Sequence, residues 1–169
     1  MSYKNVLRGK LAKSNGAFFE HQIDCTCEWY KMQYLAYIEK TPEPMRPLKP
    51  LEKGKFVACF EKAAQPDYKG TLQGGKAICF EAKFSNRPII EKKRVTDEQM
   101  GALALHHRLG AETFILVCFG DDIVPEYFRI PFEVWRDMKK IYGRVHLKKE
   151  ELGGYRLQTT SMNYIQFLT

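Results

Sequence analysis

The stretch "QPDYKGTLQGGKAICFEAKFS", residues 65–85, sets one acid directly after a proline, at Asp67. It then places a second acid and a lysine two positions apart, Glu81 and Lys83, in an otherwise apolar run. An apolar core ordinarily rejects such groups, and a solvated surface has no need of the arrangement. Gly74-Gly75 is turn chemistry between strand-compatible residues, so 67–84 reads as a β-hairpin. Side chains alternate across a strand, which puts Glu81 and Lys83 on one face and Phe80, Ala82 and Phe84 on the other. Whether Asp67 joins the first pair depends on the loop. A three-residue loop, Gln73 to Gly75, pairs Leu72 with Lys76 and sets Asp67 opposite Glu81. A two-residue loop of Gly74-Gly75 sets Asp67 against Ala82, on the wrong face unless a bulge intervenes. The residues alone leave both registers open.

Two carboxylates held close together repel, and in a partly buried place both stay ionised only if a cation offsets their charge. A divalent metal does so. Oxygen ligands suit magnesium or manganese, which keep waters and accept phosphate oxygens. Water beside such an ion loses its proton more readily, and Lys83 is placed to orient it or to stabilise charge on a phosphate. This is the chemistry of phosphodiester hydrolysis.

Around this block, 169 residues at 44% hydrophobic content support one compact core and no second domain. Lys and Arg number 27 against 20 Asp and Glu, and the pI near 9.1 leans toward a polyanionic partner such as nucleic acid. No apolar stretch approaches the roughly 20 residues of a membrane helix. "MSYKNVLRGKLAKSNG" lacks the apolar run of a signal peptide, so a cytoplasmic location without membrane partners is expected. The five cysteines read as free, mostly buried thiols. On a helix Cys25 and Cys27 lie about 200° apart, too far round to clasp one zinc ion. His21 and Cys25 share a helical face but have no matching second pair, and His106 and His107 read as helix-surface residues.

Residues 1–13, with Lys4, Arg8, Lys10 and Lys13, read as a flexible basic arm ahead of a single domain over 14–169. Phe18, Phe19, Ile23, Tyr30 and Tyr34 recur at helical spacing from Ser14 to about Leu35, with Ser14 or Asn15 as cap. "AYIEK" (36–40) is a short strand. "TPEPMRPLKPLEKGK" (41–55) then holds four prolines with Arg46, Lys49, Lys53 and Lys55, which predicts a stiff, extended, basic segment that is neither helix nor central strand. "FVACFEK" (56–62) is strand-like. Thr96 opens a helix with Gln99 at the capping-box position, and Gly110 closes it. "TFILVCF" (113–119) suits a strand buried on both faces, "YFRI" (127–130) a further strand, and Phe132, Trp135, Met138 and Ile141 one last amphipathic helix. The expected fold is α/β, a central mixed β-sheet flanked by helices.

Pro66-Asp67 followed by Glu81-Ala82-Lys83 resembles the signature of the restriction-endonuclease-like nucleases, an acid after proline and then an acid, any residue and lysine. The larger block "DYKGTLQGGKAICFEAK" resembles that of the RecU-type Holliday junction resolvases. "NGAFFEHQI", "AYIEKTPEPMRPL", "TDEQMGALALHHRLGAETFILVCF", "FEVWRDM" and "MNYIQFL" are similar to the family's other segments and follow in its order. The resemblance implies a magnesium-dependent homodimeric endonuclease, with manganese able to substitute and no nucleotide cofactor, that resolves four-way DNA junctions in recombination and repair. It implies that Asp67 and Glu81 are metal ligands, assisted by the Ala82 carbonyl, and that Lys83 is the catalytic lysine. By the same resemblance Glu20 is the first-helix acid that completes the metal site, and Gln99 a helix glutamine facing it. Read without it, Glu20 is a solvated helix acid and Gln99 a capping residue. The proline segment corresponds to a stalk that enters the junction, which makes Arg46, Lys49, Lys53 and Lys55, with Lys40 beside them, DNA contacts. Lys69, Arg87, Lys92, Lys93 and Arg94 flank the catalytic strand as candidate phosphate contacts.

Two features depart from the family pattern. Gln65-Pro66 stands where the family carries threonines, and Asp67 and Glu81 lie one residue farther apart. Two other readings compete: a phage or mobile-element nuclease of the same fold acting on duplex or branched DNA, and a DNA-binding relative without activity. The intact Asp67, Glu81 and Lys83 speak against the second of these.

Overall fold

The hairpin closes with the three-residue loop. Leu72 N–H donates to the Lys76 carbonyl at 2.8 Å and Gly75 N–H to the Leu72 carbonyl at 2.9 Å. Gly74 and Gly75 take φ of 87° and 88°, a region that side chains disfavour, which is why the turn needs both glycines. The computed structural model describes residues 3–42, 44–60, 65–120 and 124–168, and only the backbone of 3–13 and 60.

The hairpin strands β4 (Tyr68–Leu72) and β5 (Ala77–Ser85) lie inside a five-stranded sheet with β1 (Ala36–Lys40), β7 (Glu112–Phe119) and β8 (Glu126–Pro131), in the order β1-β4-β5-β7-β8. The labels β2 (Met45–Pro50), β3 (Phe56–Phe60), β6 (Ile89–Glu91) and β9 (His146–Lys148) belong to two small two-stranded sheets, β2-β3 and β6-β9. Within the main sheet β5 and β7 run parallel and the other pairs antiparallel. The parallel pair needs a crossover, supplied by α2 (Asp97–Arg108). The first helix, α1 (Tyr3–Met32), covers one face of the sheet; α2 and α3 (Phe132–Arg136) pack on β7 from the other, and α4 (Met138–Tyr142) follows α3. The fold class expected from sequence, a mixed sheet between helices, is the one observed.

Alternation along β5 divides the core. Phe80 stacks on Tyr68 at 4.9 Å and on Phe114 at 4.7 Å, a column of rings across three strands in the cluster that also holds Phe19, Ile23 and Tyr30 of α1. Cys79, Ile115 and Val117 face the other way, with Leu103, Trp135 and Met138. The β7 strand is buried from Thr113 to Phe119, as its continuous apolar run predicts. The C-terminal tail seals the α1 side. Tyr30 Oη donates to the Ile165 carbonyl at 3.1 Å and accepts from the backbone N–H of Phe167 at 2.9 Å and of Leu168 at 3.2 Å. Among the described residues no helix is long and apolar enough to cross a membrane.

Several expectations need correction. The backbone of 3–13 continues α1 rather than forming a separate arm, so Ser14 and Asn15 lie inside the helix and cap nothing. The proline segment is extended and lies outside the main sheet; its sequence did not show that β2 pairs antiparallel with β3 to make a ribbon. Of "FVACFEK", residues 61–62 lie outside the described residues. The last helix is two short helices that break at Asp137, and the small sheet β6-β9 had no counterpart in the sequence reading. His107 is not a free surface residue, since Nδ1 lies 2.9 Å from Thr113 Oγ1 and Nε2 3.2 Å from Glu133. The Thr96–Gln99 capping box and the turn at Gly110, with φ of 89°, are present as read.

Tyr30→Phe keeps the ring in place and removes three hydrogen bonds to the tail; the Ile165 carbonyl and the Phe167 N–H keep each other at 3.0 Å, while the half-buried Leu168 N–H loses its Tyr30 partner. The expected loss is about 1–2 kcal/mol. Urea unfolding will show it as a lower midpoint with an unchanged slope.

Candidate active site

The register Tyr68↔Phe80 extends by one step to place Asp67 opposite Glu81. Asp67 Oδ2 accepts from the Ala82 N–H at 3.0 Å and from Lys83 Nζ at 3.2 Å. Lys83 Nζ also donates to Glu81 Oε2 at 2.7 Å, so one ammonium bridges both acids. Gln99 Nε2 reaches the same Glu81 oxygen from α2 at 2.6 Å. Meanwhile Gln99 N–H donates to Thr96 Oγ1 and Gln99 Oε1 accepts from Thr96 N–H, so this one side chain caps α2 and braces Glu81. Both readings of Gln99 hold together.

Glu81 is fully buried, and its Oε1 has no protein partner. Burial pushes its carboxyl up to about 8; Lys83 counteracts this and Asp67 adds to it. Lys83 is raised despite burial, because Asp67 and Glu81 hold its charge in place. The site is therefore short of positive charge. Its donors are two converging carboxylates, one with an orphaned oxygen; among the described residues no cluster of three or more His, Cys, Asp or Glu gathers to hold a metal. This sparse oxygen set fits a small hard cation that is held by one or two carboxylates and keeps its waters for phosphate exchange.

The β4 strand starts at Tyr68, so past Glu81 the β4-side edge of β5 is open, with only β7 paired along its other side. A cleft of about 670 Å³ occupies that edge, lined by Glu20, Asp67, Lys83, Arg87, Lys93 and Arg94 among others. Glu20 comes from α1 and stands in the cleft wall, but its carboxylate accepts from Lys40 Nζ at 2.8 Å rather than from Lys83. Lys40 ends β1, and its ammonium is paired with Glu20 at the cleft wall. A second brace of α1 was missed: Tyr68 Oη donates to Asp24 Oδ1 at 2.9 Å and to the Glu20 carbonyl at 3.3 Å. The available signal was a tyrosine next to Asp67 on the apolar face, whose hydroxyl must find a partner. Lys69 donates to Gln65 Oε1 at 2.5 Å and does not line the cleft.

The ribbon has two faces. Cross-strand partners share a face, and Arg46 pairs with Cys59 while Lys49 pairs with Val57. Cys59 and Val57 are two apart, hence on one side. The register shift between Pro47 and Lys49 thus brings Arg46 and Lys49 to the same face although three residues separate them, and alternation adds Lys55. Met45, Pro47, Pro50 and Phe56 take the other face, and Lys53 sits in the end turn with φ of 58°. Every residue of β2 is exposed.

A mixed sheet flanked by helices, with an acid, acid and lysine constellation on the open edge of a central strand, defines the restriction-endonuclease-like class. The fold resembles that of Archaeoglobus fulgidus Hjc, described as a Holliday junction resolvase from an archaeal hyperthermophile, with a TM-score of 0.50, 12% identity, and 83% of this chain and 89% of that one covered. The chain belongs to the recombination protein U family, whose model matches residues 14–169. It is also 26% identical over 163 residues to the Holliday junction resolvase RecU of Lactococcus lactis subsp. lactis (strain IL1403), covering 90% of this chain and 75% of that protein.

The charge imbalance at Glu81 has a measurable sign. The folded-state value of about 8 lies above the ordinary 4.5, so between the two folding must protonate Glu81, and the wild type loses stability as pH rises through that window. In chelator, Glu81→Gln, which has no such proton to take up, will therefore gain on wild type by roughly 2 kcal/mol or more as pH rises from about 4.5 to about 8, with no further gain above it. Thermal melts across that range check the trend, and a gain that is flat with pH contradicts it.

Proposed function

We propose that this protein is a divalent-metal-dependent endonuclease that resolves four-way DNA junctions as a homodimer, in the cytoplasm, during recombination and repair. The observation that carries the reading is the convergence of Asp67, Glu81 and Lys83 on the open edge of β5, at the end of the sheet from which the basic ribbon departs. Family membership and the printed activity of the Lactococcus relative support it.

In this reading Asp67 and Glu81 hold magnesium, or manganese in its place. The Ala82 carbonyl is a third donor: in a strand a residue's N–H and C=O point to the same edge, and the Ala82 N–H points at Asp67. The ion supplies Lewis acidity at the phosphate and makes the attacking water more acidic. Lys83, kept charged by its neighbours, exchanges its carboxylate contacts for the attacking water or a phosphate oxygen and steadies the charge that develops there. Gln99 keeps Glu81 from turning away, and Glu20 orients water from the far wall of the cleft. The basic face of the ribbon, with Arg46, Lys49 and Lys55, and Lys53 at its turn, contacts the phosphates of the junction arms. One chain holds one such constellation, and paired cuts across a two-fold junction call for two related by symmetry.

Asp67→Ala, Glu81→Ala and Lys83→Ala will each lower cleavage of a four-way junction by at least about a thousandfold, with junction binding retained within a few-fold. Cleavage by all three variants at the wild-type rate, or in full chelator, would overturn the mechanism.

Alanine at Arg46, Lys49, Lys53 and Lys55 together will weaken four-way junction binding by roughly two orders of magnitude and linear duplex binding far less. Competition binding at fixed salt measures both. An equal loss on the two DNAs favours a basic nuclease without a junction-reading device.

A further inference from the structure

Five cations flank the catalytic strand in sequence, but the structure gives them different tasks. Lys69 is held by Gln65 on β4. Lys92 Nζ is engaged at 2.6 Å by the Arg136 carbonyl, and Lys93 Nζ at 2.7 Å by Glu91. Arg87, Lys93 and Arg94 all line the cleft beside the candidate metal site, but Lys93 is already paired with Glu91. Arg94 is anchored there: its Nη2 donates to the Phe84 carbonyl at 3.1 Å.

That carbonyl is the informative partner. Alternate residues of a strand direct their backbone groups to the same edge, so Phe84 points to the edge at which the Ala82 N–H meets Asp67. Asp67 answers for Ala82, while no β4 residue pairs with Phe84, and Arg94 takes the vacated ladder position. A guanidinium is thus pinned two strand steps beyond Ala82, roughly 6.6 Å along the edge. This is comparable to the spacing of neighbouring phosphates on one DNA strand. One of the five N–H donors of Arg94 is used on Phe84, and a rigid planar fork of this kind suits a phosphate. Arg87 stands on the same cleft wall, close enough to help hold the Glu91 carboxyl low, second to Lys93.

We propose that Arg94, with Arg87, forms a second phosphate subsite that grips the backbone phosphate adjacent to the scissile one, setting the register of the strand on the metal site. This rests on the nuclease reading of that site. Lys92 and Lys93 act instead as struts for the loop that carries Arg94.

The test pairs protein and DNA changes. Four-way junctions carry a single neutral methylphosphonate at either neighbour of the scissile phosphate, and binding is measured in calcium for the wild type, Arg94→Ala and Arg87→Ala. At one of the two positions the neutral phosphate will weaken wild-type binding on the order of tenfold, and Arg94→Ala will weaken binding of unmodified junction by a similar factor. The two changes combined will lose little more than either alone. Arg87→Ala, which breaks no backbone anchor, will show the same coupling at that position more weakly, and melting curves verify that both variants fold. Losses that multiply at both positions, or wild-type affinity in both variants, overturn the subsite. Cleavage of the unmodified junction by wild type in magnesium tests the nuclease reading separately: failure there with the coupling intact retains the subsite and changes the reaction assigned to it.

Discussion

The candidate active site depends on the pairing of Asp67 with Glu81 across the hairpin. Side chains alternate with a period of two, so a slip of one residue sends Asp67 to the α1 face, among Phe80 and Tyr68, and dissolves the constellation. The register is set twice. At the turn, Gly74 and Gly75 take left-handed φ in a three-residue loop closed by Leu72 and Lys76. At the open end, the stacked rings of Tyr68, Phe80 and Phe114 align the three strands before Asp67 leaves the ladder.

Holding the acids there works against folding. Glu81 is buried, has one unpartnered oxygen, and shares a single ammonium with Asp67. The rest of the molecule supplies the compensation: the capping box that doubles as a brace on Glu81, the Tyr68 tie to α1, and the tail locked onto Tyr30. A buried, incompletely paired carboxylate surrounded by stabilising contacts follows the usual relation between activity and stability.

Long or strongly patterned elements were legible in the sequence, and short or doubly exposed ones were not. The hairpin, the α2 cap and the buried β7 each carry a signal that local chemistry cannot easily fake: paired glycines, Thr96 with Gln99, and a continuous apolar run. The β6 and β9 strands span three residues each, too few for a period to register. The ribbon was hidden by its prolines. Pro47 and Pro50 argue against a central strand but are compatible with a two-stranded ribbon, in which each strand is an edge and half the N–H groups need no partner. Lys4, Arg8, Lys10 and Lys13 make 1–13 read as a solvated tail, so the sequence does not extend the helix back to Tyr3. The site residues Asp67, Glu81 and Lys83 were visible as an anomaly, charge in strand sequence, whereas Lys40 was assigned to the stalk because sequence proximity does not reveal that Glu20 waits across the sheet edge.

The ribbon's place in the topology gives it more than reach. It is the connection between β1 and β4, which are hydrogen-bonded neighbours, so it leaves and re-enters the sheet at adjoining points. At that root the Thr41 N–H donates to the carbonyl of Asp67 itself at 2.8 Å, and Lys40, one residue earlier, holds Glu20. The chain entering the ribbon is thus tied to the backbone of one candidate site acid and, through Lys40, to another. Had the same ribbon been inserted at the Gly74-Gly75 turn, at the opposite end of β4 and β5, it could project as far and carry the same charges, yet would have no mechanical path to Asp67 shorter than the length of the strand. Inserting it between β1 and β4 puts the root of the ribbon at the same corner of the sheet as the acids.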